Sequence, residues 1–142
     1  MTVKTETNFY KNLKKCLESG SEKYIITRIE SYVTPGFPDC LIYHNDVGFF
    51  TLELKVVRRN KKGIGKVLIS PLQIAWNTIH MIHGAPVLIL IHDPGRGITK
   101  LFPSSKLLEL RDKSYDSVDG GLWAGALDAS FAAELPKLLK LP

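Results

Sequence analysis

Residues 36–56, GFPDCLIYHNDVGFFTLELKV, constrain the fold more than any other stretch of the chain. The even positions Cys40, Ile42, Phe50, Leu52, Leu54 and Val56 are apolar, whereas the odd positions include Asp39, Thr51, Glu53 and Lys55. A period of two is the mark of strands, so the polar set shares one sheet face. Turn-forming residues at His44, Asn45 and Asp46 interrupt the alternation and fold it into an antiparallel hairpin. A hairpin centred on Asp46 pairs Tyr43 with Phe49, Leu41 with Thr51, and Asp39 with Glu53. The two acids then face each other with Cβ atoms about 5 Å apart, where like charges repel unless a cation sits between them. Lys55 is one step further along that face, near enough to help but too soft and single a charge to replace a divalent ion. Paired carboxylates at a strand end suit Mg²⁺, which takes a few oxygen ligands and keeps several waters. The bland alternative is that an acid and a lysine at i and i+2 form the solvated face of a strand.

The remaining segments order themselves around this hairpin. Residues 6–18 place Phe9, Tyr10, Leu13, Cys16 and Leu17 at helical spacing with Thr5 as N-cap, and Glu6 stands three and four residues before Phe9 and Tyr10, toward the buried edge. A first-turn acid also favours the helix dipole without further function. KYIITRIE reads as a strand. Residues 58–66, RRNKKGIGK, read as a mobile basic loop whose Arg58, Arg59, Lys61, Lys62 and Lys66 either contact phosphates or only solubilise. Ser70 as N-cap and Pro71 at the first helical position open a helix with an apolar stripe of Leu72, Ala75, Trp76, Ile79 and Ile82, and with Gln73, Asn77 and His80 opposite it. PVLILIH is a fully buried strand and ITKLFP a shorter one, with helical pieces around SSKLLELRD and LDASFAAELPKLL. The expected order is helix, three strands, helix, strand and strand, an α/β fold around a mixed sheet. Residues 1–142 form one domain, with its core at about 6–103 and a C-terminal helical extension at about 104–142.

Composition narrows the class. No apolar run approaches the ~20 residues that span a bilayer, and the first residues lack the apolar stretch of a signal peptide, so a cytoplasmic protein without membrane contact is expected. Cys16 and Cys40 lie outside any paired spacing, which suggests neither a disulfide framework nor a structural zinc site. His80, His83 and His92 lack a further ligand at zinc-like spacing and read as surface histidines. GIGK at 63–66 lacks the flanking residues of a phosphate-binding loop. Trp76 reads as a packing residue. A net charge of +5 favours a polyanionic partner.

Pro38-Asp39, followed after the hairpin by Glu53-Leu54-Lys55, resembles the PD-(D/E)xK nuclease signature. The ordered set Glu6-x-x-Phe9-Tyr10, Arg28-Ile29-Glu30, Gly36-x-Pro38-Asp39, Glu53-Leu54-Lys55 and Gln73-x-x-Trp76 is similar to the small phage and bacterial VRR-NUC-like or Holliday-junction-resolvase-like branch. The likeness covers residues 6 to about 92. It implies a restriction-endonuclease-like αβββαβ core and a DNA endonuclease that uses Mg²⁺, with Mn²⁺ able to substitute. Asp39, Glu53, the Leu54 carbonyl and Glu6 would hold the metal, Lys55 would orient or help deprotonate the attacking water, and Gln73 would reach the site from its helix. It further implies branched DNA as substrate and a homodimer. Two alternatives stay open: a nuclease for linear, flap or single-stranded DNA, and a non-catalytic DNA-binding module with a nuclease-like fold.

Overall fold

The computed structural model describes residues 2–20, 22–29 and 35–140, with residues 2–4 as backbone alone. Glu30 of the quoted motif set lies outside them. Helix α1 (Thr2–Glu18) leads into β1 (Tyr24–Arg28), β2 (Cys40–His44) and β3 (Gly48–Val56). A small hairpin, β4 (Arg58–Arg59) and β5 (Gly65–Lys66), comes before α2 (Pro71–Ile82), β6 (Val87–Asp93) and β7 (Ile98–Pro103). The chain ends with α3 (Leu107–Asp112), β8 (Trp123–Gly125) and α4 (Ala129–Leu139). Strands β1-β2-β3-β6-β7-β8 form one six-stranded mixed sheet, antiparallel except for the β3–β6 pair. A parallel pair needs a crossover, and β4, β5 and α2 supply it.

The hairpin register is the expected one. Tyr43 pairs with Phe49 and Leu41 with Thr51, and one residue beyond the ladder Asp39 stands across from Glu53. The turn closes through Val47 N–H to the His44 carbonyl at 3.2 Å, and Gly48 supplies the positive φ of 86° that ends it. His44 is both the first residue of the turn and the buried end of β2, 3.0 Å from Glu22.

Two hydrophobic clusters sandwich the sheet. On one face, the even residues Leu52, Leu54 and Val56 meet Phe9, Leu13 and Leu17 of α1 and Phe131 and Leu135 of α4. On the other, Ile89, Ile91 and Phe102 meet Val67, Ile69, Leu107, Leu110 and Tyr115. The segment beyond residue 103 therefore builds both cores rather than extending past them, and it adds the edge strand β8.

Three sequence expectations change. Helix α1 starts at Thr2, so Thr5 lies inside it instead of capping it, and Glu6 is past the first turn. Residues 58–66 are an ordered hairpin: Asn60 Oδ1 accepts from the N–H groups of Lys62 (2.9 Å) and Ile64 (3.0 Å), and Arg59 anchors it. Helix α2 is rotated relative to its expected stripe, with Leu72, Ile79 and Ile82 exposed at 55%, 57% and 73% while Asn77 is fully buried. The sheet face beneath α2 carries Glu53 and Lys55, and it draws the polar side of the helix inward.

Candidate functional site

Asp39 sits where the chain turns into β2. Its carbonyl accepts from Ile29 N–H at 2.7 Å, extending the β1–β2 ladder, and its Oδ2 accepts from Leu54 N–H at 2.8 Å. The carboxylate is thus tied to the strand that carries Glu53 and Lys55. Gly36 makes this approach possible. It adopts φ +86°, and a Cβ there would lie 2.3 Å from the Leu72 carbonyl oxygen, so only glycine lets the GFPD segment rest on the first turn of α2. Phe37 then packs on Trp76 with ring centroids 5.0 Å apart, and Trp76 stacks on His80 at 3.6 Å. Trp76 does pack, but over this segment and not in the main core.

Glu53 is 1% exposed. Its Oε1 accepts from Gln73 Nε2 at 2.9 Å and lies 3.9 Å from Lys55 Nζ. Its Oε2 is buried with no hydrogen-bond partner. Burial and the neighbouring Asp39 carboxylate, through its charge and through a hydrogen bond that a protonated Glu53 can give it, push the Glu53 carboxyl well above the usual carboxylate range, Lys55 opposes the rise and Glu6 adds to it. The solvated-face alternative fails for Glu53, because water does not reach it. Cys40, on the opposite face beside Asp39, is held as a neutral thiol chiefly by burial, with the two acids adding to it.

Gln73 joins the parts. Ser70 Oγ accepts from Gln73 N–H at 3.1 Å while Gln73 Oε1 accepts from Ser70 N–H at 3.0 Å, a reciprocal cap that fixes the start of α2. The same Oε1 accepts from Lys55 Nζ at 3.0 Å. One amide therefore orients Glu53 with its nitrogen and Lys55 with its oxygen. Asn77 supports it by donating to the Gln73 carbonyl at 2.7 Å. Its place in the polar stripe was visible in the sequence, but its inward direction was not.

The donor set fits a hard divalent cation, since it joins an orphaned carboxylate oxygen to a second carboxylate in a setting that disfavours an unbalanced charge. Among the described residues, no three His, Cys, Asp or Glu side chains gather into a cluster able to hold a metal. Glu6 is felt at Glu53 through its charge. Leu54 lies between Glu53 and Lys55, with its N–H already given to Asp39.

The basic residues divide. Arg58, Lys61 and Lys62 are exposed on the β4–β5 hairpin just past the strand end. Arg59 is engaged instead. Its guanidinium pairs with Asp93 through Nη2, with Asp116 at 2.8 and 3.0 Å and with the Gly63 carbonyl at 2.8 Å, which pins the hairpin to the β6–β7 turn. Lys66 Nζ donates to the Arg111 carbonyl at 3.1 Å. Within the expected phosphate set, Arg59 and Lys66 thus also hold the hairpin. No described helix is long and apolar enough to cross a membrane. Comparison with family models, curated proteins and solved structures finds no match for this chain, and the site is read from its own geometry.

Proposed function

We propose that this chain is a Mg²⁺-dependent DNA endonuclease of the PD-(D/E)xK kind that acts on branched DNA as a homodimer. The observation that carries the reading is the buried, unpartnered Oε2 of Glu53 beside Asp39, with Lys55 held against the same acid by Gln73. The order helix, three strands, helix, strand around a mixed sheet supports a restriction-endonuclease-like core.

Asp39, Glu53 and the Leu54 carbonyl would hold Mg²⁺, with Glu6 completing the site directly or through water and Mn²⁺ able to replace the ion. When bound, the ion neutralises charge on the phosphate and makes a nucleophile available at neutral pH. The protein's own groups do the rest. Lys55, fixed by Gln73 Oε1, presents an ammonium at the strand end where it orients the attacking water and balances developing charge on the phosphate. Arg58, Lys61 and Lys62 contact the backbone on either side of the scissile bond.

A two-fold symmetric junction calls for two equivalent sites, and one chain supplies one. The outward face of α2, which carries Leu72, Ile79 and Ile82 and no charged side chain, supports pairing with a second copy of this chain. On a chain of net charge +5, that uncharged face is a poor surface for polyanions.

The test is cleavage of an end-labelled immobile four-way junction and a matched linear duplex, with Mg²⁺ or EDTA, by wild type and Lys55→Ala. Paired Mg²⁺-dependent cuts confined to the junction and lost in the variant are expected. Equal cutting of both DNAs would sink the junction preference, and binding without cutting would leave a DNA-binding module.

A further inference from the structure

Between α1, the β6–β7 turn and the segment leading into α4 lies a cavity of about 580 Å³. It does not include Asp39, Glu53, Lys55 or Gln73, and its volume falls in the range of small-ligand sites, roughly 300–1,000 Å³. Asn8, Asn12 and Lys15 stand at i, i+4 and i+7 on α1 and line one wall. Phe9 and His92 line another side, with ring centroids 5.6 Å apart and planes tilted by 38°. His92 Nδ1 is bonded to Thr99 Oγ1 at 3.0 Å, which leaves Nε2 without a protein partner among the described residues. Burial lowers the imidazole below its ordinary range, so the ring is a neutral hydrogen-bonding group rather than a cation. The Asn8 and Asn12 amides are exposed and likewise without protein partners. Asp128 borders the cavity, but its carboxylate caps α4 through Ser130 N–H (3.0 Å) and Phe131 N–H (3.3 Å).

Two amides, each able to donate and accept, beside the half-buried His92 imidazole and a single ammonium group match the three parts of a nucleotide. The amides fit the donor and acceptor edge of a base, the imidazole its face and the ammonium its phosphate. We propose that this cavity takes one unpaired nucleotide of the DNA substrate. The proposal rests on the nuclease reading, in which this chain meets DNA. A base held in a duplex cannot enter without leaving its stack, so the cavity selects substrates that already contain unpaired nucleotides, such as a junction with unpaired residues at its branch point.

The test has two arms. In the first, dAMP, dCMP, dGMP and dTMP are titrated separately into ¹⁵N-labelled protein without Mg²⁺; the side-chain amide signals of Asn8 and Asn12 are followed in wild type, and the backbone amide signals of the cavity residues in wild type and in Asn8→Ala/Asn12→Ala. In the second, both proteins cleave a junction with unpaired nucleotides and a linear duplex, after circular dichroism has established that the variant folds. The expected results are saturable amide shifts in wild type and about a tenfold loss of junction cleavage in the variant, with duplex cleavage unchanged. No shifts with any nucleotide, together with normal Mg²⁺-dependent cleavage by the variant, would overturn the cavity's role and leave the nuclease standing. Shifts with unchanged junction cleavage would overturn the DNA source in favour of a free nucleotide. Shifts in a protein that cleaves no DNA would overturn the nuclease reading instead.

Discussion

Glu53 poses a charge problem that its neighbours only half solve. One oxygen has Gln73 and a distant Lys55, while the other meets no donor group and the adjoining Asp39 carboxylate makes the face still more negative. An ionised carboxylate in that position destabilises the metal-free protein. Glu53→Gln should therefore melt in EDTA at a temperature equal to or above that of wild type, and Mg²⁺ should raise the melting temperature of wild type alone, since only a ligand bound to the folded state stabilises it. A clear drop for the variant in EDTA would mean that Lys55 already satisfies the acid as an ion pair. Replacing Gln73 by Ala should cost about 10–100-fold in cleavage while leaving DNA affinity intact, because Gln73 orients Glu53 and Lys55 without touching DNA. Gel-shift affinity and single-turnover rates separate the two effects. Asp39, Glu53 and Lys55 were readable in the sequence because strand periodicity and one turn fix their register. The orphaned oxygen was not, since it depends on which side of α2 covers the strand.

Elements explain the errors as well as the successes. Helix α2 was read from its apolar stripe, yet it lies against a sheet face already occupied by an acid and a lysine, so pairing polar groups outweighed burying Leu72, Ile79 and Ile82. Local pattern cannot report the polarity of a distant partner. The β4–β5 hairpin was likewise hidden, because the bonds that order it run from Arg59 to Asp93 and Asp116, far along the chain. Two predictions follow from these contacts. Gly36→Ala should destabilise the protein by more than about 1 kcal/mol in urea unfolding, through strain at positive φ and collision with the α2 backbone. An unchanged midpoint would deny that contact. Neutralising Arg58, Lys61 and Lys62 together should flatten the salt dependence of DNA binding without lowering the melting temperature, whereas Arg59→Ala should lower the melting temperature. The reverse pattern would exchange their roles.

At the scale of the whole molecule, the two clusters on either side of the mixed sheet leave the strand end at Asp39, Glu53 and Lys55 as the meeting point of α1, α2 and the basic hairpin. The fold class and the order of the first elements came from periodicity. The C-terminal contribution to both cores did not, because short helical pieces carry no signal of where they dock. If the uncharged face of α2 joins two copies, sedimentation should give twice 15.9 kDa, and Ile79→Glu with Ile82→Glu should return a folded monomer. A wild-type monomer at all accessible concentrations would remove the dimer. The claim beneath all of this is that Asp39 and Glu53 hold a divalent ion, and anomalous diffraction from crystals soaked in Mn²⁺ tests it most directly. The expected result is a peak at about 2 Å from Glu53 Oε2, shared with Asp39 and the Leu54 carbonyl and absent in Glu53→Gln. A Glu53 Oε2 bonded only to water or to Lys55, with no peak at saturating Mn²⁺, would contradict it.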